Sequence, residues 1–181
     1  MKVFYRWTAI SFLLILALFS IFSDQMVEAK VQKLVSTKIH INATPEVIFE
    51  AIRQYRDSAE HHRQLMSCDG RFATLKEEAF DVPIYGKVEC LWQEQEFPFE
   101  RIDYTLLSSD KFKSAFGSWI LTPSADKKST TLELKSFLDV GLHLPFADEL
   151  TKMRVSHENK VRLEYIKNTA EIIAKSNFAH K

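Results

Sequence analysis

In a chain of 181 residues, 24 Lys plus Arg stand against 24 Asp plus Glu, a zero formal charge that excludes the strong basic excess a nucleic-acid surface requires. With 46% hydrophobic residues, 14 Phe and only 4 Gly and 5 Pro, the chain has ample core material and little linker. It reads as one compact globular domain behind a targeting segment.

Lys2 and Arg6 precede WTAISFLLILALFSIF, residues 7–22, and small Val27 and Ala29 stand where a signal peptidase inspects the chain. The pattern predicts a signal peptide over 1–29, cleaved after Ala29, and an exported domain over 30–181, periplasmic or secreted. The uncharged run is shorter than the roughly 20 residues a membrane span needs. Extended back to Val3, it would instead be an uncleaved anchor, associating with the membrane through residues 7–22 and holding the domain outside the cytoplasm. Cys68 and Cys90 are the two cysteines, and an exported chain could keep a disulfide between them. A turn near Asp81 to Pro83 puts them out of register, which favours two separate thiols.

LVSTKIHI, residues 34–41, alternates apolar and polar as a half-buried strand does. A helix start follows, with Thr44 as cap, Pro45 at the first position and Glu46 at the positive end of the dipole. Val47, Ile48, Ala51, Ile52 and Tyr55 recur at helical spacing. Asn42-Ala43-Thr44 fits a glycosylation sequon, but the cap role accounts for the same residues. RDSAEHHRQL continues as a polar turn or second short helix. From Gly70 to Leu138 come strand candidates over 71–80, 84–95, 100–109, 111–122 and 130–138, joined by short turns that force antiparallel neighbours. Val88, Cys90 and Trp92 share one parity and Lys87, Glu89 and Gln93 the other, so one face is expected inward and aromatic and the other wet. Gly117 interrupts its strand two residues before Trp119, which suggests a bend, a bulge or a close approach.

Pro145 opens a long helix with Asp148 and Glu149 in its first turn and no Gly or Pro after it. Its apolar stripe is read as Phe146, Leu150, Met153, His157, Val161, Tyr165 and Ile172, flanked by Ile166, Ala170 and Ile173. Helices segregated from a continuous antiparallel run indicate an α+β fold, a curved sheet of about six or seven strands wrapped on the long C-terminal helix.

Three stretches carry a family resemblance: IHINATPEVIFEAIRQYRD, FGSWILTPSADKKSTTLELKSFLDV with its Gly-x-Trp-x-Leu-x-Pro strand, and LPFADELTKMRVSHENKVRLEYIKNTAEII. Together they resemble the START-like, helix-grip (SRPBCC) superfamily, in the branch of polyketide cyclase and coenzyme Q-binding START-like proteins, from about Val35 to Ala174. The family usually has a Pro near the end of its helix segment, where HHRQLMSCDGR has none, so the cavity rim is expected to differ. The resemblance implies a deep apolar cavity between sheet and helix, holding a lipid, quinone, sterol or polyketide. The partner it implies is a hydrophobic small molecule or lipid, carried by most members and chemically transformed by a minority.

Candidate ligand-binding residues are Tyr55, Trp92, Tyr104, Phe116, Trp119, Phe137, Phe146, Leu150, Met153, His157 and Val161, although core packing explains each one taken alone. Phe116 and Trp119 differ in parity and both point inward only if Gly117 makes a bulge. His157 on the inner stripe is the one weak catalytic candidate, as base or hydrogen-bond donor, against the alternative of a satisfied core histidine. Asp103 and Glu89 are its possible carboxylate partners by type, with parities that suggest the outer face. Adjacent His61 and His62 read as a solvated polar turn, since neighbours on a helix do not share a face. No Gly-rich phosphate loop, HExxH, paired-Cys cluster or GxSxG appears, so no cofactor and no metal are expected. Three functions stay open: a carrier of a hydrophobic molecule, a cyclase-type enzyme, and an interaction module without a small ligand.

Overall fold

The computed structural model describes residues 34–82, 85–142 and 145–179, without the side chains of 80, 81, 178 and 179. The signal or anchor expected over 1–29 lies outside the described residues. The elements run β1 (Val35–Ile41), α1 (Pro45–Arg56), a 3₁₀ turn (Ala59–His61), β2 (Arg63–Asp69), β3 (Phe72–Val82), β4 (Gly86–Phe97), β5 (Arg101–Ser109), β6 (Ser114–Pro123), β7 (Thr130–Asp139) and α2 (Ala147–Ala179).

All seven strands join one antiparallel sheet in the order β1-β7-β6-β5-β4-β3-β2. From β2 to β7 the chain meanders, as its short turns require, while β1 crosses the sheet through α1 to pair with β7. That crossing leaves β1 and β2 as the two edges. The Thr130 hydroxyl donates to the Ala43 carbonyl at 2.9 Å, tying the start of β7 to the exit from β1.

The short helix allowed for RDSAEHHRQL is the 3₁₀ turn at Ala59–His61, and the seventh strand is β2, which takes the last three residues of that stretch and runs on to Asp69. Its Asp69 pairs with Phe72 across Gly70-Arg71, a two-residue hairpin turn in which Gly70 takes φ 57°. A register shift between Leu65 and Ser67 breaks the alternation that would have marked the strand.

Helix α1 begins as expected, with Thr44 extended at the N-cap and Pro45 first, although the Thr44 side chain makes no cap hydrogen bond. It buries Ile48, Phe49, Ala51, Ile52 and Tyr55. These join Ile41, Ile102, Trp119, Leu121, Leu132 and Leu134 from the sheet and Leu163, Ile166 and Ala170 from α2 in one core. Each fully buried large apolar side chain contributes about 1.5–3 kcal/mol.

Helix α2 packs against β1, β7 and α1 along the expected flank, where Ile166 and Ala170 are buried and Ile173 and neighbouring Tyr165 partly so, rather than along the centre of the expected stripe. Its buried positions are Val155, Asn159, Leu163, Ile166 and Ala170. Phe146, Met153 and Ile172 are 76%, 70% and 66% exposed, and His157 is exposed with them. The helix is therefore rotated relative to the stripe read from hydropathy, because two of the positions turned inward, Asn159 and Arg162, are polar.

Pairing of β6 with β5 and β7 is regular through Gly117, with no bulge. Ala115, Gly117, Trp119 and Leu121 face inward and Phe116 faces out, where its ring meets Phe137 at 5.0 Å. Gly117 is a close-approach glycine. It sits opposite Tyr104 on one side and Ser136 on the other, and a Cβ there would overlap the Lys135 carbonyl and the Tyr104 ring. The phenol crosses over the glycine to reach β7, where its hydroxyl meets Ser136 Oγ at 2.6 Å and the Lys135 carbonyl at 3.2 Å.

The two cysteines are unpaired: Cys68 is exposed on β2 and Cys90 buried on β4. Cys68 pairs with Ala73 of β3, which leaves a whole strand between the two thiols.

Candidate functional site

A cavity of about 510 Å³ lies between the sheet and α2. Residues of β3, β4, β5, β6 and β7 form its floor, the N-terminal half of α2 its roof, and Tyr55 with the 3₁₀ turn one end. Apolar and aromatic side chains include Ala79, Val82, Tyr85, Trp92, Phe112, Ala115, Leu138, Val140, Leu142 and Val155.

Of the residues proposed from sequence, Tyr55, Trp92, Tyr104, Leu150 and Val161 line this cavity, and Phe137 borders it although its ring lies on the outer face against Phe116. Leu150 and Val161 do so from the rim, at 64% and 48% exposure. Trp119 does not line it; at 3% exposure it belongs to the core, with Tyr55 edge-on at 6.4 Å. Phe116 lies on the outer face, Phe146 is exposed in the turn just before α2, and Met153 and His157 point to solvent on α2. No catalytic role can be built on His157 here, since the rotated helix carries it away from the cavity.

The polar part of the site was not legible in advance. Inward parity on β4 runs Val88, Cys90, Trp92, Glu94, Glu96, so the face that begins apolar ends in two buried carboxylates. Glu77 is likewise inward on β3 and 7% exposed. Each carboxylate has guanidinium partners. Arg53 binds Glu96 through two bonds at 3.2 and 2.6 Å, Arg56 reaches Glu94 at 2.9 Å and Glu96 at 2.6 Å, and Arg63 reaches Glu94 at 3.3 Å and Glu77 at 3.6 Å. Arg162 of α2 closes the series on Glu77 at 2.8 Å. The result is an alternating ladder from the surface at Arg53 to the cavity wall at Arg162.

A buried ion pair yields little net stability over apolar packing, because desolvation cancels most of the attraction, but removing one member is costly. The ladder thus holds α1, β2, β3, β4 and α2 in one relative arrangement. Burial pushes the Glu77 carboxyl up, yet Arg162, Arg63, the Trp92 indole and His61 outweigh it and hold it below the usual carboxylate range. Burial also opposes the charge on Arg162, but Glu77 more than compensates and keeps it cationic.

A second polar group, uncharged, lies on the same wall. Ser136 donates to Asn159 Oδ1 at 2.9 Å, which leaves the Tyr104 hydroxyl to donate toward Ser136 or Lys135. Asn159 Nδ2 in turn points at the Val35 and Leu134 carbonyls, at 3.5 and 3.4 Å. Burial pushes the Tyr104 phenol up, so it stays protonated at neutral pH. His61 packs its ring against Tyr165 at 4.4 Å and Tyr55 at 4.8 Å rather than lying in a solvated turn, and its burial, the leading cause, lowers its pKa. Among the described residues no three His, Cys, Asp or Glu side chains converge as metal ligands would.

A curved antiparallel sheet closed over by a long C-terminal helix, with an apolar cavity between them, defines an α+β protein of the START-like, helix-grip type. The family model for polyketide cyclase / dehydrase and lipid transport matches residues 32–171, and the chain belongs to that family. Solved structures agree on the fold. The Zhui aromatase/cyclase from a Streptomyces species superposes with a TM-score of 0.63 at 14% identity, covering 77% of this chain and 93% of its own. A protein from Thermus thermophilus gives 0.62 at 17% identity, over 80% and 99%. A START superfamily protein from Mycobacterium smegmatis gives 0.60 at 17% identity, over 77% and 98%. No curated protein matches the sequence significantly.

Proposed function

We propose that this protein binds and carries a hydrophobic small molecule of the lipid or quinone class, without transforming it, outside the cytoplasm. The observation that carries the reading is the cavity: about 510 Å³, walled mainly by apolar and aromatic side chains, with a few polar groups converging on one side. That is the make-up of a small-molecule site rather than of a packing defect. Membership in a family described by both cyclisation and lipid transport supports it, and the pattern of residues 1–29 supports export. Against the cyclase alternative stands the exposure of His157, the side chain on which that alternative was built. The interaction-module alternative rests on the exposed Phe146, Leu150 and Met153 at the start of α2.

Organic extraction of the protein purified from its native host compartment, followed by mass spectrometry, tests the carrier reading. A lipophile recovered in near-stoichiometric amount is expected. Protein that is consistently empty and displaces no fluorescent lipophile from solution would overturn it. Signal processing is checked separately by the N-terminal sequence of the exported protein, expected to start at Lys30.

A further inference from the structure

Three buried polar atoms on the cavity wall have no hydrogen-bond partner: His61 Nε2, Trp92 Nε1 and Glu77 Oε2, the last with only the ion pair to Arg63 Nη1 at 3.6 Å. Arg63 Nε is also unpartnered, but Arg63 lies outside this cavity, lining a separate void of about 10 Å³ behind Trp92 that suits roughly one water. A buried polar atom left unsatisfied costs about 1–3 kcal/mol, so three on one apolar wall call for a complement from outside the chain. They also sense one another: the Trp92 indole and His61 both act on the Glu77 carboxylate.

The set specifies what would complement it. Trp92 offers only a donor and ionised Glu77 only an acceptor, and the indole is near enough to favour the ionised carboxylate although neither Nε1 nor Oε2 meets a partner in hydrogen-bond geometry. A ligand oxygen that serves both must accept from the indole and donate to the carboxylate. A hydroxyl does both. A ketone or ether oxygen can satisfy only the indole, and a carboxylate or phosphate would be repelled by Glu77. Charge balance points the same way: the ladder has four guanidiniums to three carboxylates, but the surplus sits at its surface end on half-exposed Arg53, while buried Arg56 and Arg63 and partly buried Arg162 are matched by Glu94, Glu96 and Glu77.

We infer that the ligand is a lipophile whose buried end carries an uncharged hydroxyl, alcohol or phenol, seated between Trp92 Nε1 and Glu77 Oε2 with His61 beside it. The inference rests on the carrier reading and narrows it, favouring hydroquinone-like or alcohol-bearing lipids over fatty acids, phospholipids and oxidised quinones.

Four probes of matched tail test it at neutral pH by calorimetry or fluorophore displacement: para-octylphenol, its methyl ether, para-octylbenzoate and octylbenzene. The phenol is expected to bind about tenfold more tightly than the ether, the value of one hydrogen bond to a charged group, with the benzoate weaker than the phenol by at least as much. Trp92→Phe keeps every charge of the ladder and removes the indole donor. It should weaken the phenol about three- to tenfold more than it weakens octylbenzene. Equal binding of phenol and ether, as expected if a trapped water already bridges Trp92 and Glu77, or tightest binding of the benzoate, would overturn the inference while leaving the carrier intact. Failure of all four to bind would remove the carrier reading and this one with it.

Discussion

Replacing Gly117 with alanine tests how the sheet and the cavity wall are joined. The new Cβ would overlap the Lys135 carbonyl and the Tyr104 ring. The carbonyl belongs to the β6–β7 ladder and cannot move without breaking strand pairing. The ring can swing away only by giving up its hydroxyl contacts with Ser136 and Lys135. Overpacking costs about 1–3 kcal/mol, and a lost buried hydrogen bond about 1 kcal/mol. Against this, alanine removes about 0.4–1 kcal/mol of unfolded-chain entropy that glycine carries. The balance is a destabilisation of about 2–3 kcal/mol, or a fall in Tm of about 4–12 °C for a domain of this size. Urea denaturation should show a lower midpoint at unchanged slope. Gly117→Ala combined with Tyr104→Ala should cost less than the sum of the two single changes, since one of the two overlaps disappears. A single variant within a degree of wild type would refute the close-approach account and return Gly117 to the status of an ordinary strand glycine.

Trp119→Ala is expected to cost about 3–5 kcal/mol as a core truncation, whereas Met153→Ala, at a position 70% exposed on α2, should stay within about 0.5 kcal/mol; comparable losses would contradict the rotation of α2. Glu77 and Glu96 have depressed folded-state pKa values, against burial, through their arginine partners. The stability they confer is present above the unfolded Glu value of about 4.3 and lost as pH falls through their folded values, so urea midpoints should drop steeply below about pH 4. His61 is also depressed, from 6.5, so its contribution is present above that value and lost as pH falls below it; His61→Phe should flatten the curve just under pH 6.5 and leave the acid limb intact. Thiol titration of the native protein should find Cys68 reactive and Cys90 silent until unfolding, because burial pushes the Cys90 thiol up to about 11.

Sequence alone determined the α+β layout, the antiparallel run from β3 to β7 and the start of α1, because period-2 alternation, short turns and a Thr-Pro-Glu helix entry are local signals. It did not reveal β2, whose bulge hides the alternation, although Asp69-Gly70 marks the hairpin it belongs to. The rotation of α2 and the polar wall escaped for one shared reason. Hydropathy assigns Asn159, Arg162, Glu77, Glu94 and Glu96 to the wet side, while the folded chain turns them inward and matches each with a partner from another element. Such partners are distant in the chain, as Glu77 and Arg162 are, so no local pattern can announce that burying them is tolerable. The fold was written in residue spacing, and the chemistry of the cavity was decided by which charges the tertiary structure brought together.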